Sequence, residues 1–166
     1  MIARPNYRIE VDVPRQTLIL QDVNKKTVLE TPIATAKNGV AEIIHSECTP
    51  RGMHKIRAKI GAGMPPNTVF VGRRPTGEIY SPQLRALFPE RDWILTRILW
   101  LSGMEIGKNR LGNVDSMRRY IYIHGAPDDD PMGVPSSHGC IKMRNSDVIA
   151  LFDYVQVSTP VHIGAN

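Results

Sequence analysis

The chain has 166 residues, which suits one domain with a single core, and it is read as one unit over 1–166. With 42% hydrophobic and 22% charged residues, its composition excludes disordered and fibrous classes. The net charge of +5 comes from scattered cations in short pairs such as Lys25-Lys26, Arg73-Arg74 and Arg118-Arg119. No aromatic residues interleave a basic stripe, so these cations read as solvated surface and no nucleic-acid partner is expected.

In chain order, Met1 to Tyr7 show no basic n-region, apolar h-region or small-residue cleavage site. Taking Met1 as the start, the expectation is a cytoplasmic protein, or a periplasmic one if a leader precedes the sequence. No apolar run is long enough to cross a bilayer, so no membrane partner is expected. Tyr7 to Val13 alternates as a half-buried strand, and Thr17 to Gln21 resumes it after Pro14-Arg15-Gln16. Turn residues Asp22 to Lys25 then lead to a strand over Thr27 to Ala34. Further strands are predicted at His54 to Ile60, Asn67 to Gly72, Trp93 to Leu101, Tyr120 to His124 and Pro160 to Ile163. Gly61 to Asn67 and Arg73 to Arg91 read as loops. Asn145 reads as a helix cap, with Val148, Leu151, Phe152 and Val155 at helical spacing on one face. Many short strands with Gly and Pro breaks point to a sandwich or barrel carrying one helix.

Ile121-Tyr122-Ile123-His124-Gly125 is followed closely by Ser136-Ser137-His138-Gly139-Cys140, which gathers a thiol and two imidazoles into one short span. A thiol is a strong nucleophile as thiolate, and a neighbouring imidazole is the usual group that removes its proton near neutral pH. Either His124 or His138 can serve Cys140 in this way. Gly139 lets the backbone approach a ligand and aim its N–H at a developing oxyanion. The competing reading makes Cys140 a small buried hydrophobe and the histidines satisfied polar groups. A zinc site of His124, His138 and Cys140 is weighed as well. It lacks an acidic general base at hydrolase spacing, so no metal or cofactor is expected. Cys48 is taken as structural, and two cysteines do not make a disulfide framework.

Together these motifs resemble the signature of the L,D-transpeptidase (YkuD-type) family: a histidine, a spacer, Ser/Thr-His-Gly-Cys, a hydrophobe, then Arg or Asn. Here it reads His124, then Ser137-His138-Gly139-Cys140-Ile141-Lys142. The likeness extends through Val11 to Gln16, Thr49-Pro50-Arg51-Gly52 and Gly77 to Pro82. Two features depart from the pattern. Lys142 is a point charge where Arg would offer a bidentate fork, and the spacer from Gly125 to Ser136 is short.

The resemblance implies a mainly β, YkuD-like sandwich or barrel, with one C-terminal helix packed on the sheet after the Cys140 loop. It makes Cys140 the nucleophile and His124 its base, with the Gly125 carbonyl orienting the imidazole and the N–H groups of Gly139 and Cys140 as oxyanion donors. His138, Ser137 and Lys142 then fall on the substrate side, with Tyr80 beside them on a flap over Pro75 to Pro82. The implied partners are peptidoglycan tetrapeptide stems or soluble muropeptides. Cys140 would attack the L-centre carbonyl of the L,D-peptide bond and release D-Ala. Water as acceptor makes a muropeptide-recycling L,D-carboxypeptidase, which is the reading preferred for a cytoplasmic protein. An amine acceptor makes an L,D-transpeptidase, and the alternative of another class is a non-catalytic peptidoglycan-binding β module. Oligomeric state is not read from the sequence.

Overall fold

The computed structural model describes residues 6–166, so the leader reading of Met1 to Pro5 lies outside the described residues. In chain order the elements begin with β1 (Arg8–Asp12), β2 (Thr17–Gln21), β3 (Thr27–Pro32), β4 (Gly52–Ile60), β5 (Thr68–Val71) and β6 (Arg74–Ile79). They continue with α1 (Pro82–Leu87), β7 (Ile94–Gly103), β8 (Tyr122–Ala126), β9 (Ile141–Arg144), α2 (Asn145–Tyr154) and β10 (Pro160–Gly164). All ten strands join one sheet that curls into a half-barrel.

One wing of the sheet is the meander β1-β2-β3, joined to β4 through β10, which runs parallel to β1 and antiparallel to β4. The long strand β7 is the hub, pairing with β4, β5 and β8. Alternation along these strands sends Ile9, Val11, Leu18, Leu20, Ile56, Leu99, Leu101 and Ile163 into the main core. The helix α2 closes that core with Val148, Leu151 and Phe152. Its C-terminal carbonyls are held by a cation from the sheet, since Lys59 Nζ donates to Phe152 O at 2.6 Å and to Val155 O at 2.7 Å.

The region read as a loop over Arg73 to Arg91 in fact holds β6 and α1. β6 carries Pro75 and Gly77 and is mostly exposed, so it lacks the alternation that marks a half-buried strand. It is tolerated because it lies at the sheet edge. α1 starts at Ser81, whose hydroxyl accepts the Leu84 N–H at 3.1 Å, with Pro82 just after it. A second correction concerns α2, whose N-cap position is Arg144, while Asn145 is its first helical residue. Asn145 does not cap the helix because stronger partners claim its amide. It accepts from Thr96 Oγ1 and donates to Asn67 Oδ1 and Asp128 Oδ1, both at 3.0 Å. Among the described residues, no helix is long and apolar enough to cross a membrane.

Candidate active site

The site is built on the parallel pair β8 and β9. Their register sets Ile123 beside Ile141 and His124 beside Lys142. Strand alternation therefore turns Ile121, Ile123, Ile141 and Met143 into the main core, and presents Tyr122, His124 and Cys140 on the opposite face. The Tyr122 N–H accordingly points at Cys140 Sγ, 3.3 Å away, and the thiol is directed at Tyr120 O at 3.4 Å. The four residues of β9 were hidden in the sequence because they follow the Cys140 turn without a break.

The turn before β9 is fixed by small hydroxyls. Ser137 Oγ donates to Cys140 O and accepts the Gly139 N–H at 3.2 Å. Thr49 Oγ1 donates to Gly139 O at 3.0 Å while accepting the Ala36 N–H at 3.0 Å. Gly139 sits at φ +129°, where an L side chain is strained, and a Cβ there would meet Cys48 O at 3.2 Å. Thr49 was legible as part of Thr49-Pro50-Arg51-Gly52, but its role as the clamp on Gly139 depends on a contact 90 residues away in sequence. The oxyanion expectation for Gly139 changes as well, because its N–H is already bound to Ser137.

A cleft of about 490 Å³ opens on this face, and His124, Cys140, Ser137 and His138 line it. Asp92, Arg73, Arg119, Tyr120 and Tyr122 line it too; none was given a site role from sequence, and Arg73 and Arg119, read there as solvated surface, face the cleft instead. They were missed because charge and aromatic residues at isolated positions carry no spacing signal. His124 is 1% exposed, and its Nδ1 lies 2.7 Å from Gly125 O. A carbonyl only accepts, so Nδ1 carries the proton and Nε2 is left as the basic nitrogen. Burial holds the His124 imidazole below its ordinary pKa, opposed by the nearby Asp92 carboxylate. Burial likewise pushes the Cys140 thiol up to about 12, while the Tyr122 N–H and the Arg119 and Lys142 cations pull the other way. Both shifts favour a neutral thiol beside a neutral imidazole.

Arg119 ties the cleft to the preceding loop. It donates to Ala41 O and Glu42 O through Nη1, and to Ser46 Oγ and Cys48 O through Nη2, the last at 2.7 Å. Two expected substrate-side residues are placed elsewhere. Tyr80 is buried, stacks edge-on against Trp93 at 5.2 Å between centroids, and bonds to Asp129 and Arg85. It is absent from the cleft wall, and the flap contributes Gly72 and Arg73 at its turn instead of Pro75 to Pro82. Lys142 Nζ lies 3.6 Å from Asp130 and does not line the cleft. Cys48 and Cys140 are both free thiols. Among the described residues, no three His, Cys, Asp or Glu side chains are placed to hold a metal.

The structure thus presents a cysteine and an oriented, buried histidine in one cleft of a curled β half-barrel. The chain belongs to the YkuD family, whose L,D-transpeptidase catalytic domain model matches residues 6–163. Among solved structures it is similar to an L,D-transpeptidase from Mycobacterium smegmatis, at 18% identity and a TM-score of 0.61, covering 97% of this chain and 59% of that one. It is also similar to a protein of Bdellovibrio bacteriovorus, at 19% identity and a TM-score of 0.60, covering 99% of this chain and 49% of that one. A mutant of the Enterococcus faecium L,D-transpeptidase matches at 19% identity and a TM-score of 0.57, covering 97% and 50%. These likenesses show the fold. The chain spans about half to three fifths of the length of these structures. No curated protein sequence matches it.

Proposed function

We propose that the protein is a cysteine acyltransferase acting on the L,D-peptide bond of peptidoglycan tetrapeptide stems, with water as acceptor, and hence an L,D-carboxypeptidase. The observation that carries this reading is the shared cleft of Cys140 and His124, with the imidazole oriented through Nδ1 on Gly125 O. In the first half-reaction, His124 Nε2 takes the Cys140 proton as sulfur attacks the L-centre carbonyl carbon. The C–N bond then breaks, the imidazolium proton passes to the leaving amine of D-Ala, and a thioester remains. Water adds to the thioester and gives its proton to His124, the C–S bond breaks to free the acid, and the released thiolate takes the proton back. With Gly139 N–H engaged by Ser137, the proposal leaves the Cys140 N–H as the oxyanion donor of this turn. Hydrolysis needs no binding site beyond the one cleft.

A second reading, amine transfer, is favoured by one observation. A second cavity of about 310 Å³ shares Arg119, Tyr120, Ile121 and His138 with the cleft and adds Glu47, a carboxylate suited to an incoming ammonium. Mass spectrometry of a disaccharide-tetrapeptide, incubated with wild type and Cys140→Ala, with and without a D-amino acid, tests both readings. Loss of one D-Ala by wild type alone supports the carboxypeptidase, and exchange or dimer products support the transpeptidase. Binding without turnover would leave a peptidoglycan-binding β module.

A further inference from the structure

Resting on the acyl-transfer reading, we propose that Arg73 forms a carboxylate-binding subsite that positions the stem peptide over Cys140. Lys142, the cation expected on the substrate side, is paired with Asp130 away from the cleft wall. Arg119 lines the cleft but spends both terminal nitrogens on four acceptors of the 41–48 loop. Arg73 is different. Its Nη1 donates to Tyr122 Oη at 3.0 Å, and its guanidinium carbon lies 4.5 Å from the Trp100 ring centroid and 5.1 Å from that of Tyr120. Among the described residues no carboxylate oxygen lies within 4.0 Å of it, although Asp92 lines the same cleft.

The backbone carries a cost to put it there. Gly72 and Arg73 form the turn between β5 and β6 with φ of +55° and +63°, and the latter is an uncommon conformation for a side chain of this size. A guanidinium already placed against two rings and bonded to a hydroxyl has given up much of its rotamer freedom before ligand arrives, so a carboxylate meets a preorganised fork. The stem offers carboxylates from two sources: the C-terminus of the leaving D-Ala, and a side-chain carboxylate on the diamino acid. The chemistry required of Arg73 is the same for either.

The test compares wild type with Arg73→Gln on three tetrapeptides: the free acid, the D-Ala amide, and a peptide whose diamino acid lacks its side-chain carboxylate. A charge-assisted hydrogen bond predicts a loss in kcat/KM of about 10- to 100-fold, mainly in KM, on peptides that keep the recognised group. On the peptide without that group the loss shrinks to less than about twofold, which tells the two sources apart. Arg73→Lys recovers only part of the loss, because it restores charge without the fork. Equal losses on all three peptides, or no loss on any, overturn the subsite while leaving the acyl-transfer reading intact. Absence of turnover by wild type overturns that reading instead. The subsite is then judged by titrating the same peptides into Cys140→Ala and Cys140→Ala/Arg73→Gln, where equal affinities overturn it.

Discussion

The amide oxygen of Asn145 stands 2.5 Å from where a Cβ on Gly125 would project, with Leu95 O on another side at 2.6 Å. The carbonyl that orients the His124 imidazole could come from any residue at this position, but only a glycine fits, because the first residue of α2 and the β7 backbone fill the space of a side chain. Gly125→Ala should force β8 away from α2 and cost about 1–3 kcal/mol, in the range of an overpacked core position. Urea unfolding of Gly125→Ala, Asn145→Ala and the double variant checks this. The double variant should be less unstable than the sum of the two singles, since removing the Asn145 amide relieves one of the two close contacts and leaves that with Leu95 O.

The thiol of Cys140, pushed up to about 12 by burial, should react unlike an ion-paired catalytic cysteine. Alkylation by iodoacetamide is expected to be slow at pH 7 and to climb about tenfold per pH unit to beyond pH 10. Turnover should behave differently. It requires neutral His124, whose pKa is lowered by burial, so activity should hold below pH 6.5 and fall only under more acid conditions. An alkylation rate already at its plateau at pH 7 would contradict the neutral resting pair.

Tyr80 supports the flap from inside, where it packs on Val69, Trp93 and Leu95. Tyr80→Ala should cost about 3–5 kcal/mol in unfolding free energy, as for other large buried truncations. Tyr80→Phe should cost no more than about 1 kcal/mol and leave KM unchanged, because its hydroxyl reaches Asp129 and Arg85 outside the cleft. Steady-state kinetics and thermal melts on the two variants separate these effects.

His54 is fully buried, with Nδ1 3.0 Å from Gly52 O and Nε2 2.8 Å from Ser116 Oγ. Burial holds its pKa at about 4, below the 6.5 of the free side chain. Between these values the unfolded chain binds the proton that the folded one refuses. The contribution of neutral His54 is therefore complete above pH 6.5 and drains away as pH falls toward 4, by about 3 kcal/mol in all. His54→Gln should flatten that slope in unfolding free energies measured from pH 7 to pH 4.

Much of this protein was legible in one dimension because its signals are local. The alternation over Thr17 to Gln21 became β2 without a shift of either end, and the stripe Val148, Leu151 and Phe152 became the buried face of α2. The run Ser137-His138-Gly139-Cys140 placed the thiol, since a glycine of positive φ and its flanking hydroxyl act within a few residues. β6 was not legible, because an exposed edge strand has no reason to alternate, and Tyr80 misled because an aromatic residue on a loop reads the same whether it faces a ligand or the core.

By itself, then, the sequence determined most of the strands and the helix α2 through period and turn chemistry, and its likeness to the family motif pointed to Cys140 and His124 as the pair. Only the tertiary structure decided which charges face the thiol. It paired Lys142 with Asp130, engaged Arg119 with the 41–48 loop, and brought Arg73 from a distant hairpin to the cleft wall. The physical reason is that a charge acts on its neighbours in space. Those neighbours are set by the pairing of β7 with β5 and β8, which joins residues far apart in the chain.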